Sequence, residues 1–307
     1  MTDLPQRAQI LEVGPRDGLQ NEREPIRMEV KREFIEALAT AGLRHIEATS
    51  FVHPKAVPQL ADAAELLADL PRLPTVTISA LVPNEKGLER ALDTPIEVLP
   101  RIAVFTAASE TFTQKNIRMT IAESLDVFGR VITQAREAGR TVRGYVSTAF
   151  SCPYEGSVDP AAVVEVSRKL LELGVDELGI SDTIGAAVPR DVHRVLTALF
   201  DAGVPTGAVA LHLHDTYGTA LANVHEALRM GVWKFDSSAG GLGGCPYAPG
   251  AAGNLATEDL VYFLEHMGVT TGVVLQGVFE ASSIIAEQLG RPLPGKQHQR
   301  LAAACEA

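Results

Sequence analysis

The chain has 307 residues, of which 46% are hydrophobic and 21% are charged. This composition provides enough apolar material for a folded core and argues against a disordered or fibrous protein. The formal net charge of −11 argues against an extended nucleic-acid-binding surface, although a few clustered cations can still bind a small anionic substrate. The three cysteines are too few and too scattered for a disulfide scaffold, and they are typical of a reducing compartment.

The N-terminal sequence, MTDLPQRAQI, has neither the apolar segment of a secretory signal nor the Arg- and Ser-rich pattern of a transit peptide. No part of the chain approaches the run of about 18 apolar residues that a membrane-spanning helix needs. We therefore expect a cytoplasmic protein with neither a membrane nor a nucleic-acid partner.

Short β-branched runs alternate with helical patterns along the whole chain. The first predicted strand, Gln9–Val13, is followed by an amphipathic helix over Met28–Ala41, and a second clear helix covers Thr120–Gly139. The other predicted strands are Leu43–Thr49, Thr75–Leu81, Val98–Phe105, Thr141–Thr148, Glu177–Ser181, Ala208–His214 and Val232–Ser237. Eight strands that each precede a helix predict an α/β fold, the (β/α)8 TIM barrel, with a doubly wound open sheet as the alternative.

No Pro- or Ser-rich linker divides the chain, so we expect a single domain over residues 1–307. The barrel would occupy residues 9–270 approximately, and a C-terminal helical extension would cover about 271–307. Within this extension, Val274–Leu289 has the pattern of an additional helix.

Polar residues collect where the predicted strands end. In a TIM barrel these positions meet at one face, and the active site lies there. They include Arg16 and Asp17 after strand 1, Glu47 in strand 2, Asp182 after strand 6, His212 and His214 in strand 7, and Cys245 and Asn254 in an uncharged Gly-rich loop after strand 8.

A metal site is predicted from two histidines near the end of strand 7. His212 and His214 are two residues apart, so their side chains share one face of the strand. Closure of the barrel would bring Asp17 and Asn254 beside them. Two imidazoles with two oxygen ligands favour Mg²⁺ or Mn²⁺, while Zn²⁺, Co²⁺ and Fe²⁺ remain open.

The remaining polar residues suggest catalytic functions. Arg16 is in a tight turn at the barrel rim and can donate hydrogen bonds to a carbonyl or enolate oxygen. The glycines around Cys245 indicate a loop that closes over substrate, where a thiol can transfer a proton. Glu47 and Asp182 are either catalytic or structural carboxylates that orient Arg16 or a histidine.

With these residues assembled, the sequence resembles the hydroxymethylglutaryl-CoA lyases of the DRE-TIM metallolyase superfamily. The resemblance covers nearly the whole chain, about residues 10–289. It rests on four segments: EVGPRDGLQNE (Glu12–Glu22), IEATSFVHPKAVPQ (Ile46–Gln59), LHLHDTYGTALANV (Leu211–Val224) and GGLGGCPYAPGAAGNLATEDL (Gly240–Leu260). Departures from the usual family pattern occur at His53, Thr148, Ser151 and Gly179–Asp182.

The resemblance implies a divalent metal held by Asp17, His212, His214 and Asn254. It implies that Arg16 contacts the thioester and stabilises an enolate, that Cys245 is catalytic, and that Glu47 and Asp182 support catalysis. The implied reaction splits 3-hydroxy-3-methylglutaryl-CoA into acetyl-CoA and acetoacetate, as in leucine degradation and ketone-body formation. The implied protein is a homodimer with an acyl-CoA substrate.

Three other activities are compatible with these residues. The first is the same cleavage of a longer 3-hydroxy-3-alkylglutaryl-CoA, and the second is a Claisen-condensing acyltransferase of the same superfamily. The third is an iron oxygenase with two histidines and one carboxylate, although no 2-oxo-acid site is evident. A non-catalytic binding protein would not need so many converging polar groups.

Overall fold

The fold is a closed barrel of eight parallel strands, seen in a computed structural model that describes residues 4–244 and 253–305. The predicted TIM barrel is confirmed, and the alternative of an open sheet is wrong. The barrel strands are β1 (Gln9–Glu12), β2 (His45–Ser50), β3 (Thr77–Leu81), β4 (Arg101–Ala107), β5 (Thr141–Ser147), β6 (Glu177–Asp182), β7 (Val209–Leu213) and β8 (Lys234–Ser237). They are arranged in sequence order around the barrel, which closes where β8 pairs with β1.

Helices surround the barrel. They are α1 (Met28–Thr40), α2 (Ala63–Asp69), α3 (Glu85–Leu92), α4 (Glu110–Ile117), α5 (Ile121–Glu137), α6 (Pro160–Glu172), α7 (Pro189–Asp201), α8 (Ala220–Arg229), α9 (Thr257–His266), α10 (Leu275–Leu289) and α11 (Lys296–Cys305). A short antiparallel hairpin, Ser151–Cys152 with Gly156–Ser157, follows β5. No helix of the described ranges is long and apolar enough to cross a membrane.

The α5 helix shows how local sequence determines these elements. It begins at a capping box in which the Thr120 hydroxyl accepts from the Glu123 N–H and the Glu123 carboxylate accepts from the Thr120 N–H. The predicted apolar stripe, including Leu125, Phe128 and Ile132, is buried against the barrel. The helix thus forms where the 3.6-residue period predicts it, with its ends one to two residues inside the predicted range.

The C-terminal segment packs against both the outside and the rim of the barrel. The predicted extra helix is present as α10, which packs against α1. Helix α11 is held by Asp259 of α9, whose carboxylate accepts from the N–H groups of Lys296 and Gln297 at 2.9 and 2.6 Å. Between these helices, the Gly295 N–H donates to the carbonyl of Gly240 just after β8. The C-terminal segment therefore supports the base of the Gly-rich loop.

Candidate active site

A cavity of about 420 Å³ opens at the end of the barrel where the strands terminate. Four of the predicted site residues, Arg16, Asp17, His212 and His214, contribute polar groups to its lining. The lining also includes apolar side chains, among them Leu81, Phe105 and Phe112. The cavity is therefore lined partly by charged and imidazole side chains and partly by apolar ones, as expected of a site for a small molecule.

The turn after β1 places Arg16 and Asp17 at the cavity. The N–H groups of Arg16, Asp17 and Gly18 all donate to the carbonyl of Val13, at 3.1, 2.7 and 3.1 Å. Glycine is favoured at position 18 because a Cβ atom there would lie 2.9 Å from Leu242 Cβ and 2.7 Å from the Ser238 hydroxyl oxygen. This turn, which winds one residue more widely than an α-helix, directs both charged side chains into the site.

Arg16 is held between two carboxylates. Its Nε donates to Glu47 Oε1, and its Nη1 donates to Asp17 Oδ1 at 2.5 Å. Burial opposes the charge of Arg16, but Asp17 and Glu47 outweigh this effect and raise its pKa. These bonds use two of the five N–H donors of the guanidinium, which is therefore oriented before substrate binds.

Glu47 contacts Arg16 rather than the cavity. Its side chain is fully buried in β2, and its second oxygen accepts from the Tyr145 hydroxyl at 3.2 Å. Burial, followed by the nearby charge of Glu47, raises the pKa of Tyr145 well above its ordinary value. Tyr145 therefore remains a neutral donor, and the geometry favours Glu47 as a residue that positions Arg16.

Asp17, His212 and His214 converge as the sequence predicts. The Nε2 atoms of both histidines lie 3.9 Å from Asp17 Oδ2, and the two rings have centroids 5.3 Å apart. Burial, and then the neighbouring His212, lower the pKa of His214 to about 4. Burial opposes the charge of Asp17, but Arg16 and the two imidazoles hold its pKa below the usual range. The site thus supplies an ionised carboxylate and a neutral His214, which are the forms that bind a metal.

Asn254 completes the predicted ligand set. Its Nδ2 donates to Asp17 Oδ2 at 2.8 Å and to the carbonyl of Leu242 at 3.3 Å, and its backbone pairs with His214. A flip of the amide would exchange Nδ2 and Oδ1 at nearly the same positions. The fold therefore brings together Asp17, His214 and Asn254, which are far apart in the sequence.

The donor set fits a divalent cation. Asp17, His212 and His214 each offer a ligand atom within 4.8 Å of the others, and this is the one such His, Cys, Asp and Glu group found among the described residues. His214 Nδ1 is buried and has no hydrogen-bond partner in this part of the chain, so its ring makes no competing bond through that nitrogen. Two imidazoles, a carboxylate and an amide suit a first-row metal or Mg²⁺.

Asp182 is also buried, but its contacts are with backbone. Its two oxygens accept from the N–H groups of Ala186 and Ala187 at 3.1 and 2.9 Å. Burial raises its pKa to about 6. These bonds fold the loop after β6, and the cavity is lined by Ser181, inside β6, and by Thr183, the first residue of this loop. The catalytic function of Asp182 stays a prediction. The hydrogen bonds show that its carboxylate also holds the loop after β6 in place.

Cys245 lies outside the described residues. The glycines on either side of its loop come close together, because a Cβ atom on Gly253 would lie 2.1 Å from the carbonyl oxygen of Gly243. Gly244, the residue before Cys245, lines the cavity. Gly243 and Gly253 both have positive φ, at 114° and 80°, which favours glycine at these two positions.

Three residues close to the site were not predicted. Tyr145 lines the cavity, and Arg143 and Asp236 form a buried ion pair that reaches His212. The available signal was a charged residue inside a predicted buried strand, since Arg143 and Asp236 lie within β5 and β8. A charge at such a position requires a partner.

The family model described as HMGL-like matches residues 7–285. The chain belongs to this family. It is 49% identical over 299 residues to the mitochondrial hydroxymethylglutaryl-CoA lyase of Macaca fascicularis, covering 97% of this chain and 91% of the relative. The structure of a Bacillus subtilis HMG-CoA lyase matches with a TM-score of 0.94 and 49% identity, over 97% of this chain and 99% of that one.

A third family member was solved with ligands. The HMG-CoA lyase from Acinetobacter baumannii, in complex with coenzyme A and 3-methylmalate, matches with a TM-score of 0.90 and 35% identity. The match covers 97% of this chain and 96% of that one. The resemblance found in the sequence is therefore confirmed across the barrel and the C-terminal helices.

Proposed function

We propose that this protein cleaves 3-hydroxy-3-methylglutaryl-CoA into acetyl-CoA and acetoacetate with the help of a divalent metal. The observation that carries the proposal is the convergence of Asp17, His212 and His214 beside Arg16 in one cavity. Membership of the family supports the substrate, because relatives that match nearly the whole chain are hydroxymethylglutaryl-CoA lyases.

The reaction breaks the bond between C2 and C3 of the acyl group. Loss of the proton from the C3 hydroxyl allows its electrons to form the ketone of acetoacetate. The electrons of the broken bond pass to C2 and the thioester carbonyl, which gives the enolate of acetyl-CoA. A proton delivered to C2 completes the reaction, so no oxidant or reductant is needed.

Arg16 has the position and charge to stabilise this enolate. It lines the cavity, it stays protonated, and Glu47 and Asp17 fix its guanidinium in place. A donor that is oriented before the reaction stabilises developing negative charge without the cost of reorganisation. Arg16 is therefore assigned to the thioester oxygen.

Asp17, His212, His214 and Asn254 would hold the metal, for which we propose Mg²⁺ or Mn²⁺. When bound, the cation would acidify the C3 hydroxyl and orient the distal carboxylate of the substrate. We propose Cys245 as the acid that protonates C2, with support from the place of Gly244 in the cavity lining. The base that removes the hydroxyl proton stays open.

Two assays test the proposed reaction. Purified protein supplied with Mg²⁺ or Mn²⁺ should release acetoacetate from 3-hydroxy-3-methylglutaryl-CoA faster than from 3-alkyl analogues with longer branches. Treatment with a chelator should abolish the reaction, and addition of the metal should restore it. Full activity after chelation would rule out the metal site. A preference for an analogue with a longer branch would show that the proposed substrate is wrong.

The function of Cys245 is tested by Cys245→Ser. We expect turnover to fall by about 100-fold or more, because a hydroxyl is a poorer proton donor than a thiol at neutral pH. The thermal unfolding midpoint and the Mn²⁺ affinity should stay near those of the parent. Cys152→Ser is a control, because that thiol is buried beside Ser109 and is not among the cavity-lining residues. A loss of stability without a loss of turnover in Cys245→Ser would mean that the thiol is a packing group.

We further propose a homodimer in the cytoplasm. The homodimer is supported by the family resemblance, and the location by the small number of cysteines. Light scattering coupled to size-exclusion chromatography measures the oligomeric state, and fractionation of the source cells measures the location.

A further inference from the structure

A buried chain of charged groups runs from the centre of the barrel to the metal site. Arg143 Nη2 donates to both oxygens of Asp236, at 2.6 and 2.8 Å. One of these oxygens, Asp236 Oδ2, also lies 3.1 Å from His212 Nδ1. The exposed fractions of the Arg143 and Asp236 side chains are both 1%, so water does not compete for these bonds.

We infer that Asp236 is a positioning residue for the metal site, because its carboxylate, held by Arg143, fixes the ring and the tautomer of His212. The inference rests on the metal site proposed above and concerns residues that do not line the cavity. Asp236 acts through His212, whereas His212 itself is the proposed ligand.

The chemistry of the contact determines the tautomer. Both oxygens of Asp236 already accept from Arg143 Nη2, so Asp236 is also the acceptor in its contact with His212. His212 Nδ1 must therefore carry the proton in the bond to Asp236. The lone pair of a neutral His212 then lies on Nε2, the nitrogen that faces Asp17. A carboxylate behind a ligating imidazole also makes that imidazole more basic and so a stronger ligand.

Arg143 is itself fixed from its other side. Its Nη1 donates to Glu177, which also accepts from Lys234 at 2.6 Å and from Arg101 at 3.3 Å. Its guanidinium lies 4.9 Å from the centre of the Tyr145 ring. Glu177 and the Tyr145 ring thus hold Arg143 on one side, while its Nη2 orients Asp236 on the other. Because this network is buried, a shift of Asp236 away from Arg143 would leave charged groups without hydrogen bonds, at a large cost in free energy.

The second histidine provides an internal contrast. Within the described part of the chain, His214 Nδ1 has no hydrogen-bond partner, although it is buried. His212 and His214 therefore differ in how they are oriented: His212 has a charged partner behind it, and His214 depends on packing. We expect Asp236 to affect the site through His212.

The test measures binding of Mn²⁺ alone by calorimetry on metal-free protein, with no substrate present. Asp236→Asn keeps the size of the side chain but removes its charge, so its dissociation constant for Mn²⁺ should be about 10–100-fold higher than that of the parent. Glu177→Gln is the matched control, because it weakens the same network at Arg143 but has no contact with His212. Its dissociation constant should stay within about threefold of the parent, even if its thermal unfolding midpoint falls.

A second measurement needs no variant of Asp236 and keeps the test valid if Asp236→Asn does not fold. Nitrogen NMR of histidine-labelled, metal-free parent protein at pH 8 should show His212 with its proton on Nδ1, its signals assigned by their loss in His212→Gln. A proton on Nε2 alone would overturn the inference. So would equal Mn²⁺ affinity in Asp236→Asn and the parent, or an equal loss in Glu177→Gln. A parent that binds no Mn²⁺ at all would instead contradict the proposed metal site.

Discussion

His214→Ala should lower turnover by more than about 100-fold and raise the dissociation constant for Mn²⁺ by a similar or larger factor. The reason is that loss of a ligand costs more than loss of a residue behind a ligand, which typically costs 10–100-fold. The variant should still fold, because His214 Nδ1 makes no hydrogen bond within the described residues that the substitution would break. Calorimetry with Mn²⁺ and a steady-state assay measure the two quantities.

His45→Ala is the matched control for this prediction. His45 is the first residue of β2, at the opposite end of the barrel, and its Nδ1 is likewise buried without a partner in the described ranges. Its pKa is also lowered to about 4, chiefly by burial. Its removal should leave Mn²⁺ affinity and turnover within about threefold. Comparable losses in the two variants would show that a general disturbance of the barrel, and not ligand loss, explains the His214→Ala result.

The sequence was sufficient to predict the fold because the local and the global signals agree. Each strand run is short, rich in β-branched residues and followed by a helical period, so the barrel requires no information about distant contacts. The helix predicted over Met28–Ala41 is found as α1, Met28–Thr40, for this reason. The spacing of His212 and His214 was informative in the same way, because alternation along a strand is a local property.

The parts that sequence could not predict depend on long-range geometry. Asp182 lies at the end of a strand on the active side of the barrel, and Asp17 lies just after one, yet the Asp182 oxygens accept from Ala186 and Ala187 in the adjacent loop. The local sequence does not show whether such an aspartate points into the cavity, as Asp17 does, or toward the backbone of the adjacent loop, as Asp182 does. The link between Arg143 and Asp236 joins residues 93 positions apart, across the interior of the barrel. Such a pair becomes visible only when the register of the strands is known.

Arg16→Gln should reduce turnover by about 10²–10³-fold while the Michaelis constant changes much less. An oriented donor that strengthens its contact as the enolate forms contributes mainly to the chemical step, and loss of one such donor costs about this much. The structure supports an effect on catalysis without collapse of the site, because Glu47 keeps its bond to Tyr145 and Asp17 keeps its bond to Asn254. Mn²⁺ affinity should therefore persist, since Arg16 is not a ligand.

Steady-state kinetics over a range of substrate concentrations separates the two possible functions of Arg16. Arg101→Gln is a suitable control. Arg101 is the first residue of β4, where it contacts Glu177, and it lies at the end of the strand away from the cavity. If Arg16→Gln raised only the Michaelis constant and kept turnover within about threefold of the parent, Arg16 would bind the ground state and the transition state equally. In that case Arg16 would position the substrate, and the negative charge of the enolate would have to be stabilised by other groups in the cavity.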